Sequence, residues 1–484
     1  QFVRSKQMRA SNRTRLYSQY RQEQVQEKLS QLGIFSYMDM QYAPRDTTAA
    51  CDTLDVTMQA TFAKPLDAEL ELNVVTKSND QTGPGASFGV TRNNVFGGGE
   101  SWNVKLKGSY EWQTGGGEKS SLMNSWEMGL STSLTFPRVV FPHLGKREFD
   151  FPARTTFRLY INQLNRAKYY KLLSFGGNAT YDFQPSRTSR HSITPFKLTF
   201  NVLQHQSEDF KEIAEANPAL YVSLRNQFIP AMEYTYTYDN ASGRRIKNPI
   251  WWQSTVTSAG NITSLIYRAF GKPFNEGDKS LLGAPFAQFV KLNTELRHLW
   301  NIDKNNAIAS RMAVGALFTY GNATIAPYSE QFYVGGANSI RAFTVRSVGP
   351  GGYHPEEGKY SYLDQTGTFR FEANVEYRFR IFKSFWGATF LDAGNVWLLR
   401  KDRKLLADGK EARPNSQLRL KTFPKQIALG TGVGIRYDMD ILVFRLDFGI
   451  PLHLPYDTER SGYYNVTGAF FKNLGIHFAI GYPF

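Results

Sequence analysis

Long stretches of this 484-residue sequence alternate apolar and polar residues with a period of two. Such alternation predicts β-strands, because successive side chains of a strand point to opposite faces. A strand of a soluble sheet typically has about five or six residues, whereas a transmembrane strand needs about 9 to 11. The alternating runs are of the longer kind: LDAELELNV at 66–74, SWNVKLKGSYEW at 101–112, TFRFEANVEYRFRI at 368–381 and LGIHFAIGYPF at 474–484.

The two faces of these strands must meet different surroundings. A soluble barrel turns its apolar face inward, whereas a membrane barrel turns that face to lipid and keeps charged residues in a wet lumen. Strand length, strand number and tryptophans near the strand ends favour the membrane arrangement. We therefore predict an all-β transmembrane barrel whose interfacial girdle includes Trp102, Trp112, Trp252, Trp300, Trp386 and Trp397.

The runs give about 16 antiparallel strands, an even number as in single-chain bacterial barrels. No run approaches the roughly 18 consecutive apolar residues of a transmembrane helix. The first residues, QFVRSKQMRA, lack the apolar core of a signal peptide, so we expect a mature or truncated chain with a further segment upstream. The strands are predicted to begin near residues 66, 85, 100, 122, 153, 171, 194, 230, 250, 286, 306, 367, 385, 425, 441 and 474.

A different pattern precedes the first alternating run. Residues 12–32 predict an amphipathic helix, because apolar residues recur there at near-helical spacing. Gly33 follows in the position that a helix C-terminus favours. Two strand-like runs come next, FSYMDMQYAP and TLDVTMQATFA. We expect residues 1–64 to be the end of a soluble module that continues upstream, and residues 65–484 to form the barrel.

Composition narrows the classes of function. The net charge of +15 arises from scattered Lys and Arg residues, which favours contact with phosphorylated lipid head groups over nucleic acid. The lone Cys51 cannot form an intramolecular disulfide, and no Cys/His cluster has metal-ligand spacing, so no metal and no cofactor are expected. The seven histidines lie in no GxSxG or HExxH frame, so we expect no enzymatic activity.

One connection between predicted strands, from about residue 322 to 366, is much longer than the roughly 12 to 15 residues above which unstructured loops become uncommon. It contains GGANSIRAF at 335–343. Its two leading glycines would let the backbone turn tightly. If the loop folds into the lumen, Arg341 would bind Glu376 and Asp392, which lie on the polar faces of the next two strands. The alternative is an exposed loop whose arginine is solvated.

GGANSIRAF, followed by RSVGPGG, NVEYRFRI, FLDAGNVW and a terminal phenylalanine, resembles the BamA/TamA superfamily of outer-membrane assembly barrels. The segment LGIFSYMDMQYAP resembles the end of that family's last POTRA domain, and VTRNNVFGGGE resembles the hairpin between its first strands. The resemblance implies periplasmic POTRA domains, a sixteen-strand barrel, and a loop before strand twelve that folds into the lumen. It assigns Glu376 and Asp392 as the acidic partners of the motif arginine. Alanine stands where the family usually has glycine, and the lumen-loop motif consists of Gly335, Gly336, Ile340, Arg341, Ala342 and Phe343.

The weak place of a closed barrel is the seam between its first and last strands. Pro483 has no amide donor, and Gly475 and Gly481 weaken or bend a strand, so poor pairing is expected there. A seam that opens sideways would offer the first strand as a template for a strand of another protein. Alternatively, Phe484 only signals the protein's own membrane assembly, and both interpretations can hold. The expected seam residues are Leu66, Leu70, Leu72, Gly475, Phe478, Gly481, Pro483 and Phe484.

The resemblance implies an assembly or insertion factor that templates folding or translocation of client proteins through this seam. A BamA-like insertase, a TamA-like factor and a two-partner-secretion pore compete, and RSVGPGG together with the chain length favours the TamA-like group. A passive porin is the remaining alternative. Expected partners are outer-membrane lipids including lipopolysaccharide, unfolded outer-membrane client proteins, and periplasmic or lipoprotein accessory subunits, with no nucleic acid. The expected location is the bacterial outer membrane, with the POTRA part in the periplasm.

Overall fold

A computed structural model describes most of the chain. No helix in this described part is long and apolar enough to cross a membrane. Cys51, residues 12–16 and 31 of the predicted helix, and residues 323–325 and 356–364 of the predicted long loop lie outside it. The described residues are 17–30, 32–46, 53–76, 81–113, 125–140, 153–166, 170–208, 211, 226–241, 246–275, 279–281, 284–322, 326–355, 365–401, 413–439 and 442–484.

The described chain begins with one helix and a two-stranded antiparallel sheet: α1 (Gln19–Ser30), β1 (Phe35–Pro44) and β2 (Leu54–Phe62). Gly33 follows α1 with a φ of 64°, in the left-handed region that glycine adopts without strain. The buried core between the helix and the sheet consists of Leu29 of the helix and Leu32 and Ile34 of the connection that follows it. These elements share a small apolar core, and they precede the first long strand in the sequence.

In the described chain a single sheet of 16 strands follows, and each strand pairs antiparallel with its neighbours in chain order. Its strands are β3 (Leu66–Thr76), β4 (Gln81–Asn93), β5 (Ser101–Gln113), β6 (Ser125–Phe136), β7 (Ala153–Arg166), β8 (Tyr170–Phe183), β9 (Ser189–Gln206), β10 (Gln227–Asp239), β11 (Ile250–Ala259), β14 (Phe289–Asn301), β15 (Asn306–Thr319), β16 (Phe369–Phe382), β17 (Phe385–Trp397), β18 (Ala428–Asp438), β19 (Val443–His453) and β20 (Gly475–Ile480). Between β11 and β14 lie a second helix, α2 (Asn261–Ala269), and a pair of two-residue strands, β12 (Ser280–Leu281) and β13 (Ala284–Pro285). The predicted transmembrane barrel is confirmed, and the largest error in a predicted strand start is at residue 194, where β9 begins at Ser189.

The sheet carries its apolar residues on the outside and its charged residues on the inside. Leu72 and Phe478 are 74% and 67% exposed on the outer face. On the inner face the side chains of Glu372, Glu376 and Arg436 are at most 1% exposed. This distribution is the inverse of a soluble barrel and suits an outer surface in contact with lipid.

The tryptophans of the predicted girdle lie near the ends of the barrel strands. We call the end where β3 begins and β20 ends the proximal rim, and the opposite end the distal rim. Trp102, Trp252 and Trp300 are 40–46% exposed at strand ends on the proximal rim, as a girdle requires. The expectation for Trp397 is wrong, because this side chain is fully buried and its Nε1–H donates to Gln426 Oε1 at 2.9 Å. The side chain of Trp112 lies outside the described part of the structure.

The turn between β4 and β5, at residues 94–100, joins the second and third barrel strands and lies against the small N-terminal core. A Cβ atom added to Gly99 would lie 3.0 Å from Cδ2 of Leu32, so glycine allows this close approach. Glu100 is fully buried and accepts hydrogen bonds from the Gly98 amide at 2.8 Å and from Arg138 Nη2 at 2.7 Å. Burial raises the pKa of Glu100, but the bonds from Arg138 and the backbone outweigh burial and hold it below its ordinary value.

Candidate functional site

The long loop between β15 and β16 packs inside the barrel. Its motif residues Ile340, Ala342 and Phe343 are at most 8% exposed. They belong to an apolar cluster that also contains Leu317 of β15 and Val396 of β17. The loop is therefore held by the burial of apolar side chains against the inner wall, and it does not lie on the surface as a solvated loop would.

The two motif glycines shape the turn that carries the arginine. Gly335 and Gly336 have φ values of 104° and 93°, which other residues rarely adopt. The Gly336 N–H donates to the carbonyl oxygen of Phe343 at 2.8 Å, which closes the turn. A Cβ atom at Gly335 would lie 2.0 Å from the carbonyl oxygen of Thr344. Both the backbone angles and the space thus require glycine at position 335.

Arg341 lies fully buried between two carboxylates. Its Nε–H and Nη2–H donate to the two oxygens of Asp392 at 2.8 and 2.9 Å, which makes this pair bidentate. Its Nη1–H donates to Oε2 of Glu376. The guanidinium also lies 3.6 Å from the centroid of the Phe390 ring, where a cation is attracted to the aromatic face. These contacts hold the guanidinium in one orientation.

The register of β16 and β17 brings these partners together. Asn374 pairs directly with Asp392, and its Nδ2–H donates to Asp392 Oδ1 at 2.9 Å. The same amide group donates to the carbonyl oxygen of Ser339 at 2.8 Å. The Ser339 hydroxyl in turn donates to Glu372 Oε2 at 2.6 Å. The loop is consequently bound to the inward-facing polar residues of two neighbouring strands.

Three further arginines and one carboxylate surround Arg341, and the sequence reasoning missed all four. Arg436 Nη2–H donates to Glu376 Oε2 at 3.0 Å, and its Nη1 lies 2.6 Å from Asp447 Oδ1. Arg378 Nε–H donates to Glu376 Oε1 at 2.7 Å. The sequence signal was present, because these residues occupy inward-facing positions of alternating strands. We define the arginine cluster as Arg341, Arg378, Arg436, Arg445, Glu376, Asp392 and Asp447.

The charges of the arginine cluster are nearly balanced. Four guanidinium groups face three carboxylates, and each carboxylate lies within 4.0 Å of at least one guanidinium. Arg445 extends the cluster to the loop, because its Nη1–H donates to the carbonyl oxygen of Ala337 at 3.0 Å and its Nη2–H donates to Asn338 Oδ1 at 2.7 Å. Buried charges are costly unless they are paired and hydrogen-bonded, and this pairing offsets the cost of burying Arg341.

Glycines on the inner faces of β18 and β19 make room for the loop. A Cβ atom at Gly430 would lie 2.3 Å from Cβ of Ala342, and one at Gly449 would lie 2.7 Å from the carbonyl oxygen of Arg341. Gly430 therefore provides the space that the methyl group of Ala342 occupies, at the position where the resembling family usually has glycine. The period-two run LGTGVGIRY contained this signal, since its glycines recur at inward-facing positions.

The arginine cluster also reaches the last strand. His477 of β20 is buried, and its Nε2–H donates to the carbonyl oxygen of Arg341 at 2.7 Å. A carbonyl oxygen only accepts, so this ring nitrogen carries the proton. Beyond β20, Arg378 Nη2–H donates to the carbonyl oxygen of Phe484 at 3.3 Å, and its guanidinium lies 4.2 Å from the centroid of the Tyr482 ring. The loop, the last strand and the C-terminal residues thus share one set of contacts.

The expected seam residues lie on the two terminal strands and in the tail. Leu66, Leu70 and Leu72 of β3 are 59–74% exposed on the outer face. In β20, Phe478 is exposed and pairs with Leu446, while Gly475 pairs with Gly449. The strand ends at Ile480, and Gly481 follows with a φ of 86°. Three of the expected residues therefore lie beyond the last strand: Gly481, Pro483 and Phe484.

Residues 94–484 match the family model of the Omp85 superfamily domain. Among solved structures, the chain is similar to BamA from Haemophilus ducreyi lacking POTRA domains 1–3, with a TM-score of 0.58 and 13% sequence identity, over 98% of this chain and 80% of that chain. It is also similar to CdiB from Acinetobacter baumannii, with a TM-score of 0.51 and 12% identity, over 94% of this chain and 69% of that chain. At these identities the likeness concerns the fold.

Proposed function

Because the chain belongs to the Omp85 superfamily of outer-membrane β-barrels, we propose that it is an assembly factor that templates client proteins at the seam between β3 and β20. The observation that carries the proposal is the bond from His477 on β20 to the carbonyl oxygen of Arg341 in the loop. This bond ties one side of the seam to the arginine cluster. Through this bond the loop helps to hold β20 in its place in the barrel wall.

The lengths of the two terminal strands support templating. β3 has 11 residues and β20 has 6, so β20 can pair with at most part of the edge of β3. An incompletely paired edge offers N–H and C=O groups to an incoming strand, whose pairing gives affinity through main-chain hydrogen bonds. The outer faces of both strands are apolar, so a client strand added here would lie directly at the lipid.

The proposal includes an orientation. Residues 1–64, which contain α1, β1 and β2, would be the C-terminal part of a periplasmic POTRA domain, and residues 65–484 the outer-membrane barrel. The proximal rim then faces the periplasm and the distal rim the cell exterior. Unfolded outer-membrane proteins would be the clients, in a membrane containing lipopolysaccharide, together with periplasmic or lipoprotein accessory subunits. The segment RSVGPGG favours a TamA-like role among assembly factors.

A two-partner-secretion pore is the second candidate, and the likeness to CdiB favours it. Such a pore passes a polypeptide through the lumen. The loop and the arginine cluster occupy part of that lumen, so export would require Arg341 to leave Asp392 and Glu376. A passive porin has no need for the bond between the loop and β20. Neither alternative requires the seam to open, and this difference provides the test.

The test joins the seam covalently and measures insertion of an unfolded outer-membrane barrel into liposomes that contain this protein. In a Cys51→Ser background, one variant carries Leu70→Cys and Phe478→Cys, two positions exposed on the outer face of the terminal strands. The matched control carries Ile435→Cys and Leu446→Cys, which are direct partners across β18 and β19 and do not cross the seam.

We expect oxidation to stop client insertion in the seam variant, reduction to restore it, and the control variant to insert clients in both states. Insertion at the parent rate with the seam disulfide formed would refute templating at the seam. If the parent accelerates no client but passes an unfolded polypeptide across the vesicle membrane, the export pore is correct. A high, steady ion conductance without either activity identifies a passive porin.

A further inference from the structure

The helix α2 at the distal rim has an unusual arrangement of polar and apolar residues. It follows β11 directly, through Gly260, whose φ of 69° turns the chain. The Gly260 N–H donates to the carbonyl oxygen of Pro230 at 2.7 Å. A Cβ atom at Gly260 would lie 2.3 Å from the carbonyl oxygen of Ala287, so glycine is required. The start of α2 is thus held tightly against the barrel.

The polar face of α2 packs against the rest of the protein. Asn261 Oδ1 accepts a hydrogen bond from the hydroxyl of Tyr320 at 2.9 Å, and Tyr320 follows the distal end of β15. Ser264 is fully buried and accepts from Lys279 Nζ at 3.2 Å. Thr263 is buried beside it. These contacts fix which side of the helix faces the protein.

The apolar face of α2 points away from the protein. Ile262, Leu265 and Ile266 are 45–54% exposed, and Phe270, just after the helix, is 84% exposed. A helix on the surface of a soluble protein turns its apolar face to the core and its polar face to water. The orientation of α2 is the reverse, and it matches the inverted outer surface of the barrel.

The exposed face of α2 is apolar, like the lipid-facing surface of the neighbouring strands. Val256, near the distal end of β11, is 40% exposed on the outer face, and Phe318, at the distal end of β15, is 49% exposed. Two exposed cations lie near the C-terminal end of α2: Arg268 in its last turn and Lys272, three residues beyond it. An apolar face followed by basic residues is typical of helices that lie in a membrane interface beside anionic lipids.

We propose that α2 is an interfacial helix that lies in the outer leaflet of the membrane, next to the distal rim. Ile262, Leu265 and Ile266 of the helix contact acyl chains together with Phe270, which follows it. Arg268 and Lys272 contact the phosphate groups of lipid head groups. The helix therefore binds the lipid surface on one side of the barrel and holds β11 and the start of β14 at a defined depth.

Spin labelling of the full-length protein tests this placement. In a Cys51→Ser background, a nitroxide is attached to a cysteine at Leu265, and the purified protein is reconstituted in phosphatidylcholine vesicles containing phosphatidylglycerol. Collision with oxygen, which partitions into the bilayer, is compared with collision with a water-soluble nickel chelate. Val433→Cys on the outer face of β18 is the lipid reference, and Lys304→Cys in the exposed turn between β14 and β15 is the water reference.

We expect the label at Leu265 to collide more often with oxygen than with the nickel chelate, as the label at Val433 does, and a label at Arg268 to have an oxygen-to-chelate collision ratio between those of Leu265 and Lys304. Because no other protein is present, a partner protein cannot shield the helix. A label at Leu265 that collides with the nickel chelate as often as the label at Lys304 would overturn the proposal and leave α2 as a surface for a protein ligand. Vesicles without phosphatidylglycerol should reduce the depth at Arg268, and an unchanged depth would refute the contact with anionic head groups.

Discussion

Replacing Arg341 with alanine should leave Asp392 without a cation but keep Glu376 paired. Within the described part of the chain, Arg341 is the one basic residue within 4.0 Å of the Asp392 carboxylate. Glu376 keeps Arg378 at 2.7 Å and Arg436 at 3.0 Å. The cost of the substitution is therefore expected to be concentrated at Asp392. Asp392→Asn in the Arg341→Ala protein removes the unpaired charge and should recover part of that cost, whereas Glu376→Gln should recover little.

The magnitude follows from the burial of these groups. Removing one partner of a buried ion pair costs about 3–5 kcal/mol, because the other charge stays buried without compensation. Arg341→Ala should lower the free energy of unfolding by an amount in this range. Contacting pairs reach coupling energies of roughly 3 kcal/mol, so we expect about 2–3 kcal/mol between Arg341 and Asp392. For Arg341 and Glu376 we expect less than about 1 kcal/mol, since two other arginines remain.

The assay is urea unfolding of the refolded barrel in detergent micelles, followed by tryptophan fluorescence, for the parent, the three single variants and the two double variants. Arg154→Ala is the control, since the Arg154 side chain is 64% exposed, and its ion pair with Asp182, which is 20% exposed, should contribute at most about 1 kcal/mol. A coupling energy between Arg341 and Glu376 that equals or exceeds the one between Arg341 and Asp392 would refute this account of the cluster.

Three further predictions concern the loop and the proximal rim. His477→Ala removes one hydrogen bond to the loop, worth about 1 kcal/mol, and should speed amide hydrogen exchange in β20; unchanged exchange there would contradict the link to the loop. Gly449→Ala places a methyl group 2.7 Å from a loop carbonyl oxygen and should lower the free energy of unfolding by about 1–3 kcal/mol. The control Gly108→Ala, where the added methyl group has no atom within 4 Å, should change the free energy of unfolding by less than about 0.5 kcal/mol. Equal urea midpoints for the two variants would contradict the close approach at Gly449. The folded state lowers the pKa of Glu100 from 4.5, so ionised Glu100 stabilises the protein above pH 4.5, and this contribution is lost as the pH falls through the folded-state pKa. The free energies of unfolding of the parent and of Glu100→Gln should therefore converge in acid. A difference that stays constant with pH would contradict this role of Glu100.

The barrel was predictable because lipid and a wet lumen place opposite demands on alternate residues of every strand. β3 begins at Leu66 and β17 at Phe385, where the alternation predicts. The same local pattern failed for Trp397, which stands at a strand end like the girdle tryptophans. Its burial depends on Phe423 and Gln426, which come from the connection between β17 and β18 and stack on or hydrogen-bond to its ring. No local pattern in the sequence predicted that these residues would bury Trp397.

By itself the sequence determined the alternating strands, the glycine-led turn around Arg341, and the placement of Glu376 and Asp392 on the polar faces of the following strands. Only the tertiary structure decided which carboxylate binds which arginine, and it brought in His477, which lies 136 residues from Arg341 along the chain. The physical reason is one of range. Period-two alternation is set locally, by backbone geometry and by what each face of a strand meets. Contact between a loop and distant strands depends instead on register across the sheet and on the space left by inward-facing glycines, and both exist only once the barrel has formed.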